Sequence, residues 1–279
     1  MQSRFKKKIK FLLKEIFPPF LIRLLVRVRS ELIRSEIGQL NNLSISGSAD
    51  GALFERGDKP FLFLIENVRY HGGQAYNEVQ HHFLRYYAGG MRELAKFYDK
   101  HQPTNVYEKH FINQPPPSQC SGHENLDSEK RISISGVPWA PLNVLKSSGE
   151  HGLDHSHGVQ QYGPVSPEKI TLESNRLDAV LGSIKQKGFL SRYGFVRGYL
   201  LENCSGNYKF VVTGGQHRMA ALAFLGEEKV PVMFQARWPR VIKRSEVHKW
   251  PHVLAGNVSH QDALRIFDSY FRSDDLPLW

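Results

Sequence analysis

Apolar positions recur at two different periods along this chain, and the places where the period changes predict its elements. Residues 5–32 carry two amphipathic helical patterns broken at Pro18-Pro19. In the first, Phe5, Ile9, Leu12, Leu13 and Ile16 share a face opposite Lys6, Lys7, Lys10 and Lys14. In the second, Phe20, Leu21, Leu24, Leu25, Val28 and Leu32 repeat it among Arg23, Arg27 and Arg34. Residues 60–68 (PFLFLIENV) read as a buried strand, and residues 76–87 and 90–101 as helices, the latter with Leu94, Phe97 and Tyr98 inward. A helix is predicted over 176–187, capped by Gly188. Residues 196–201 and 208–212 are rich in β-branched and aromatic side chains and predict a hairpin about the turn ENCSGN. From Gln216 the period turns helical, with Met219, Leu222, Ala223 and Leu225 on one face and Gly226 as terminator; residues 230–234 return to strand. A further helix, SHQDALRIFDSYFRSDD, starts at Ser259 as N-cap and turns Leu264, Phe267, Tyr270 and Phe271 to a core.

The breaks between these patterns suggest four regions. Residues 38–50 are small and polar, a linker, and Gln114–Ser128 is proline-rich and polar, a loop and candidate boundary. The expected organisation is a basic helical leader (1–36), an N-terminal α/β region (37–145), a second domain (146–236) and a helical extension (237–279). The fold class is α/β (α+β), with a small mixed sheet and helices.

With 279 residues, 41% hydrophobic content, 17 Phe and 11 Tyr, the chain is globular and long enough for one or two domains. Cys120 and Cys204 alone make no disulfide framework and suit a reducing compartment. The formal net charge of +10 is unevenly placed: Met1–Arg34 holds ten Lys or Arg against two Glu, a net of +8, leaving +2 for the remainder. The body therefore lacks the broad basic face of a nucleic-acid reader, and nucleic acid is not an expected partner. The leader has no apolar run long enough to span a bilayer. It suits a basic amphipathic segment lying on an anionic inner leaflet, or one packed on the body. The expected location is cytoplasmic, peripheral at the inner membrane.

Residues 208–234, YKFVVTGGQHRMAALAFLGEEKVPVMF, carry the chemistry. A strand, adjacent glycines, a helix N-terminus and an arginine in the first helical turn make an anion site, because free amides and the positive dipole end attract phosphate. This stretch resembles the ParB/sulfiredoxin-like superfamily, through Gly214, Gly215, His217, Arg218 and the closing Val230-Pro231-Val232. Upstream, GPVSPEKITLESNRLDAVLGSIKQKGF resembles the family's opening segment, with Ser183, Ile184, Gly188 and Phe189 at its helix terminus. The resemblance covers about residues 163–234.

The resemblance implies a nucleotide, ATP or another, held by Gly214, Gly215, Gln216, His217 and Arg218, with Mg²⁺ accompanying the phosphates. Sulfiredoxins carry a reactive Cys where this chain has Gln216, so sulfinic acid reduction is excluded. Chromosome-partition members follow this domain with a DNA-reading region, which residues 235–279 do not resemble. The kinase branch uses a carboxylate in the opening segment as general base. Glu168 and Glu173 stand there, and with His217 they are the catalytic candidates for transfer to a small hydroxylated acceptor. The bland alternative for either Glu is solubility or an ion pair with Lys169 or Arg176, and for His217 a structural hydrogen bond. The basic leader and additional region also look like proteins associated with bacterial surface-polysaccharide assembly, which points to a sugar or glycan precursor as acceptor. The alternatives are a non-catalytic binding or scaffold module and, behind it, a ParB-like DNA-binding protein. His151, His155 and His157 beside Asp154 suit a transition metal chemically, but read better as a polar loop at the mouth of the site. No metal site is assigned, and Cys204, in the hairpin turn, is not expected to be a nucleophile.

Overall fold

A computed structural model describes residues 59–104, 106–111, 136–142, 152–236 and 238–272. The leader, the linker, the proline-rich loop, His151 and Cys120 lie outside these residues. Six strands form one mixed sheet: β1 (Phe61–Leu64), β2 (Val68–Arg69), β3 (Val196–Glu202), β4 (Tyr208–Gly214), β5 (Lys229–Phe234) and β6 (Val241–Lys243). Their order is β1-β5-β3-β4-β2, with β6 pairing β3. β3 and β4 form the predicted antiparallel hairpin, with Leu200 opposite Phe210. β5 and β6 run parallel to β3 along successive parts of it, Val196 opposite Val232 and Leu200 opposite Val241. β1 is antiparallel to β5, and β2 parallel to β4.

β1 and β2 come from the segment expected to form a separate N-terminal region, yet each is an outer strand of this sheet. The compact unit runs over Ile45–Trp279. The expected boundary near residue 146 thus separates no two sheets. Long-range strand pairing joins the segments, and that pairing leaves no local trace in a sequence.

Seven helices lie among the described residues: α1 (His82–Gly89), α2 (Met91–Lys100), α3 (Val106–His110), α4 (Pro167–Lys187), α5 (Gln216–Phe224), α6 (Pro251–Leu254) and α7 (His260–Asp268). Alternate side chains of the sheet feed two cores, as the two-residue period of a strand requires. Val196, Leu200, Phe210 and Val212 point to one, where Phe83, Leu94, Phe97, Leu177, Met219 and Leu222 close the layer. Tyr199, Leu201, Val211 and Ile242 point to the other, under Trp139, Trp250, Ile266, Phe267 and Tyr270. Trp250 stacks on Phe267 at 5.5 Å and Trp238 on Tyr199 at 5.1 Å, so both tryptophans are packing residues.

Several elements begin or end away from their predicted limits. The segment 60–68 is interrupted by a 3-10 turn, Ile65–Asn67, that separates β1 from β2. The helix predicted over 76–87 starts only at His82, because His81 turns its imidazole to the Phe83 amide as N-cap. α4 begins nine residues before the predicted start: Ser166 caps the Lys169 amide, and Pro167 occupies the first turn, where its missing N–H costs nothing. α7 starts as predicted, with Ser259 capping Asp262.

Candidate functional site

The hairpin and the helix that follows it build the site. β4 ends at Gly214, and Gly215 takes a left-handed conformation (φ 83°), which lets the chain turn from strand into α5 within one residue. Gly215 is also the N-cap position, and no side chain caps it. The first amides of α5 therefore gain no side-chain acceptor there, and Gly214, Gly215 and Gln216 are half-buried and reachable. A Cβ at Gly214 would meet only the Arg197 side chain, at 3.8 Å, so there is room over this turn.

His217, in the first turn, is 7% exposed, and its Nε2 lies 2.6 Å from Glu173 Oε2. Glu173 sits fully buried on α4. Its other oxygen faces Lys169 Nζ at 3.1 Å and Arg176 at 3.2 Å. Burial pushes the Glu173 carboxyl up, but the hydrogen bond and electrostatic coupling to His217 and the charges of Arg176 and Lys169 outweigh it and hold it down to about 2. An ionised carboxylate only accepts, so Nε2–H donates to it. Nδ1 is then the ring nitrogen left for other partners, and among the described residues it takes no hydrogen bond. The Phe83 ring stacks on His217 at 4.9 Å and fixes its plane from the α1 side.

Arg218 behaves differently from its expected role. Its guanidinium donates to the carbonyls of Tyr193, Gly194 (2.7 Å) and Phe195 (3.4 Å). The cation that the helix dipole disfavours in a first turn is thereby stabilised by backbone carbonyls of the loop before β3, and it ties that loop to α5. Burial, then the neighbouring charge of Arg197, depress Arg218 from its usual range. Arg197 itself is exposed on β3, opposite Gly214. Glu168 is on the exposed first turn of α4, where its carboxylate lies 3.8 Å from His157 Nδ1.

The structure thus brings together Glu173, His217, Arg218 and the Gly214–Gln216 turn, and sets Glu168 apart on the surface. His155 and His157 lie on a 3-10 turn whose N-cap is Asp154, and His157 Nδ1 is 2.8 Å from Ser166 Oγ, at the start of α4. Among the described residues, no group of three or more His, Cys, Asp or Glu is placed to hold a metal ion. Cys204 is exposed in the hairpin turn. The i−4 and i+3 spacings of Lys169 and Arg176 about Glu173 were legible in the sequence. Arg197 was not, because its place beside Gly214 depends on the register of β3 on β4, which a bulge between Arg197 and Gly198 shifts.

Compared with protein-family models and with curated proteins, the chain matches none. The resemblance to the ParB/sulfiredoxin-like superfamily accordingly rests on the motif residues alone. The architecture itself is α/β (α+β), and among the described residues no helix is long and apolar enough to cross a membrane.

Proposed function

We propose that this chain binds the phosphates of a nucleotide at the first turn of α5. The observation that carries the reading is a helix N-terminus whose cap position, Gly215, brings no side-chain acceptor, at a Gly214–Gly215 turn that is open above. Arg197 stands beside that turn, exposed on β3 opposite Gly214. The amides of the turn would donate to phosphate oxygens in the direction the helix dipole favours, and Arg197 would add a charge-assisted contact. Gly214 leaves the space a phosphate needs. Magnesium would arrive with the phosphates and supply charge neutralisation; no protein ligand for it is assigned.

Phosphoryl transfer to a small hydroxylated acceptor, such as a sugar or glycan precursor, is the chemistry we attach to this site. The proton-accepting role falls to His217 rather than to Glu173, whose two oxygens are engaged by three cationic or donor side chains. The rival is a non-catalytic binding module, for which the same phosphate site serves recognition only.

Calorimetry of the full chain with ATP, ADP and CTP, with and without magnesium, tests the binding. Arg197→Ala is the informative variant, since its side chain is exposed on β3 and its thermal midpoint can be compared with wild type. It is expected to weaken nucleotide binding by roughly tenfold or more, the scale of one charge-assisted contact. If none of the three nucleotides binds at millimolar concentration, the reading fails. His217→Gln, with binding retained and turnover of a hydroxylated acceptor lost, separates transfer from recognition. The leader, through its basic amphipathic pattern, is proposed to touch an anionic membrane surface. Loss of binding to phosphatidylserine vesicles on deleting residues 1–36 is the expected result, and unchanged binding would refute it.

A further inference from the structure

The loop that Arg218 holds carries a feature the phosphate site does not use. Ser191–Tyr193 is a 3-10 turn, and Tyr193 at its end is 56% exposed, among the largest apolar exposures of the described residues. The Arg192 guanidinium lies over the Tyr193 ring, 5.0 Å from its centroid, and also donates to its hydroxyl at 3.3 Å. An exposed ring backed by a cation is a preformed planar surface, oriented before any ligand arrives.

Its position is set by the site. Arg218 donates to the Tyr193 and Gly194 carbonyls, and a Cβ on Gly215 would lie 3.4 Å from the Phe195 carbonyl oxygen. The loop therefore runs directly beside the Gly215 turn. On the same turn His217, nine-tenths buried, presents a ring nitrogen with no hydrogen-bond partner among the described residues. Arg197, at the end of β3 that this loop feeds, supplies the exposed charge opposite Gly214.

We propose that Tyr193, backed by Arg192, is the stacking platform for the base of the nucleotide whose phosphates sit at the first turn of α5. This assignment rests on the phosphate reading and names the part of the ligand that reading leaves unassigned. Arg218 links the two halves: one guanidinium fixes the loop that bears the platform to the helix that bears the phosphate site. Stacking on a tyrosine is tolerant of base identity, so the platform separates nucleotides from bare polyphosphate more strongly than ATP from CTP.

The test compares ATP, CTP and inorganic tripolyphosphate binding to the full chain, for wild type, Tyr193→Ala and Tyr193→Phe, by calorimetry at one salt concentration. Wild type is expected to bind the nucleotides about tenfold more tightly than tripolyphosphate, and Tyr193→Ala to abolish that preference while leaving tripolyphosphate affinity unchanged. Tyr193→Phe keeps the ring and is expected to keep the preference. If tripolyphosphate binds and Tyr193→Ala leaves the nucleotide preference intact, the platform is wrong and the phosphate site stands. If neither nucleotide nor tripolyphosphate binds wild type, both assignments fall together. An unchanged thermal midpoint in Tyr193→Ala confirms that the exposed side chain is not needed for folding.

Discussion

Lowering the pH is expected to unfold this protein through histidines that its core holds neutral. His81, His101 and His110 are each at most 2% exposed. Burial, followed by electrostatic coupling to His217, pushes His81 down to about 3. Burial, followed by Lys109, pushes His110 to about 3 and His101 to about 4. All three fall below the value of 6.5 that the unfolded chain restores. The native state therefore binds fewer protons than the unfolded state over this window, and stability falls as pH falls below 6.5. At pH 5 each histidine costs about 2 kcal/mol, from roughly 1.5 pH units at 1.36 kcal/mol each, or about 6 kcal/mol together. That is a large part of the 5–15 kcal/mol a domain typically has, and the slope from these three approaches about 4 kcal/mol per pH unit, to which His71 and His82, also pushed down by burial, add in the same direction. Glu173 adds nothing to this window: held down to about 2, it stabilises fully above 4.5, and that contribution is lost only as pH falls from there through 2. Urea unfolding followed by tryptophan fluorescence at pH 7, 6 and 5 measures the slope. His81→Asn keeps an N-cap acceptor for the Phe83 amide and removes one titrating group. It should flatten the slope by about 1.4 kcal/mol per pH unit. A stability independent of pH between 7 and 5, or an unchanged slope in the variant, would refute the argument.

Two substitutions probe the frame of the site. Glu173→Gln leaves Lys169, Arg176 and His217 without their shared carboxylate in a buried position, and is expected to cost about 3–5 kcal/mol, read as a shift in urea midpoint; a loss under about 0.5 kcal/mol would mean that the network contributes nothing. Gly198→Ala places a Cβ into the Val211 carbonyl oxygen and close to the Phe210 ring, where the sheet cannot yield locally. A destabilisation above about 3 kcal/mol, or failure to fold, is expected, and a variant with native stability would show that β3 and β4 do not pair in this register.

The parts of this structure that were legible in the sequence are those written in neighbouring residues. The β4–Gly214-Gly215–α5–β5 run is there because a strand period, two glycines, a helical period and a Gly226 stop follow one another within 27 residues. The start of α4 was written locally too, in Ser166-Pro167, but the polar run after it hid the apolar stripe. What the sequence did not show is non-local. His217 reaches Glu173 across 44 positions, and Arg218 reaches Tyr193 across 25. The tyrosine carbonyl carries no side-chain signal at all. His81 and His82 are polar residues that a pattern reading puts at a surface. They are buried because Tyr76, His81, His82 and Phe97 stack in sequence, at 4.3, 5.0 and 4.1 Å, so their ring faces count as apolar area.

The same non-locality bears on which residue would take a proton in the proposed transfer. A carboxylate aligned with the kinase base invites the reading that Glu173 itself takes the acceptor's proton. At about 2, however, it lies some five units below a neutral working pH, and general-base efficiency falls as the pKa moves away from that pH. Its burial and its contacts to Lys169, Arg176 and His217 also leave it no oxygen for an acceptor. These features suit the orienting member of a carboxylate–imidazole pair, which fixes the tautomer and the plane of the ring it holds. Phe83 constrains the plane from the other side. An orienting role makes a distinct demand: Glu173→Gln should lower turnover through His217, without abolishing phosphate binding at an intact α5 turn. A catalytic base there would instead leave the imidazole free to be replaced. In the proposed transfer the proton would therefore go to the unengaged nitrogen of His217, beside the turn where the phosphates are proposed to lie, with the carboxylate holding the ring there.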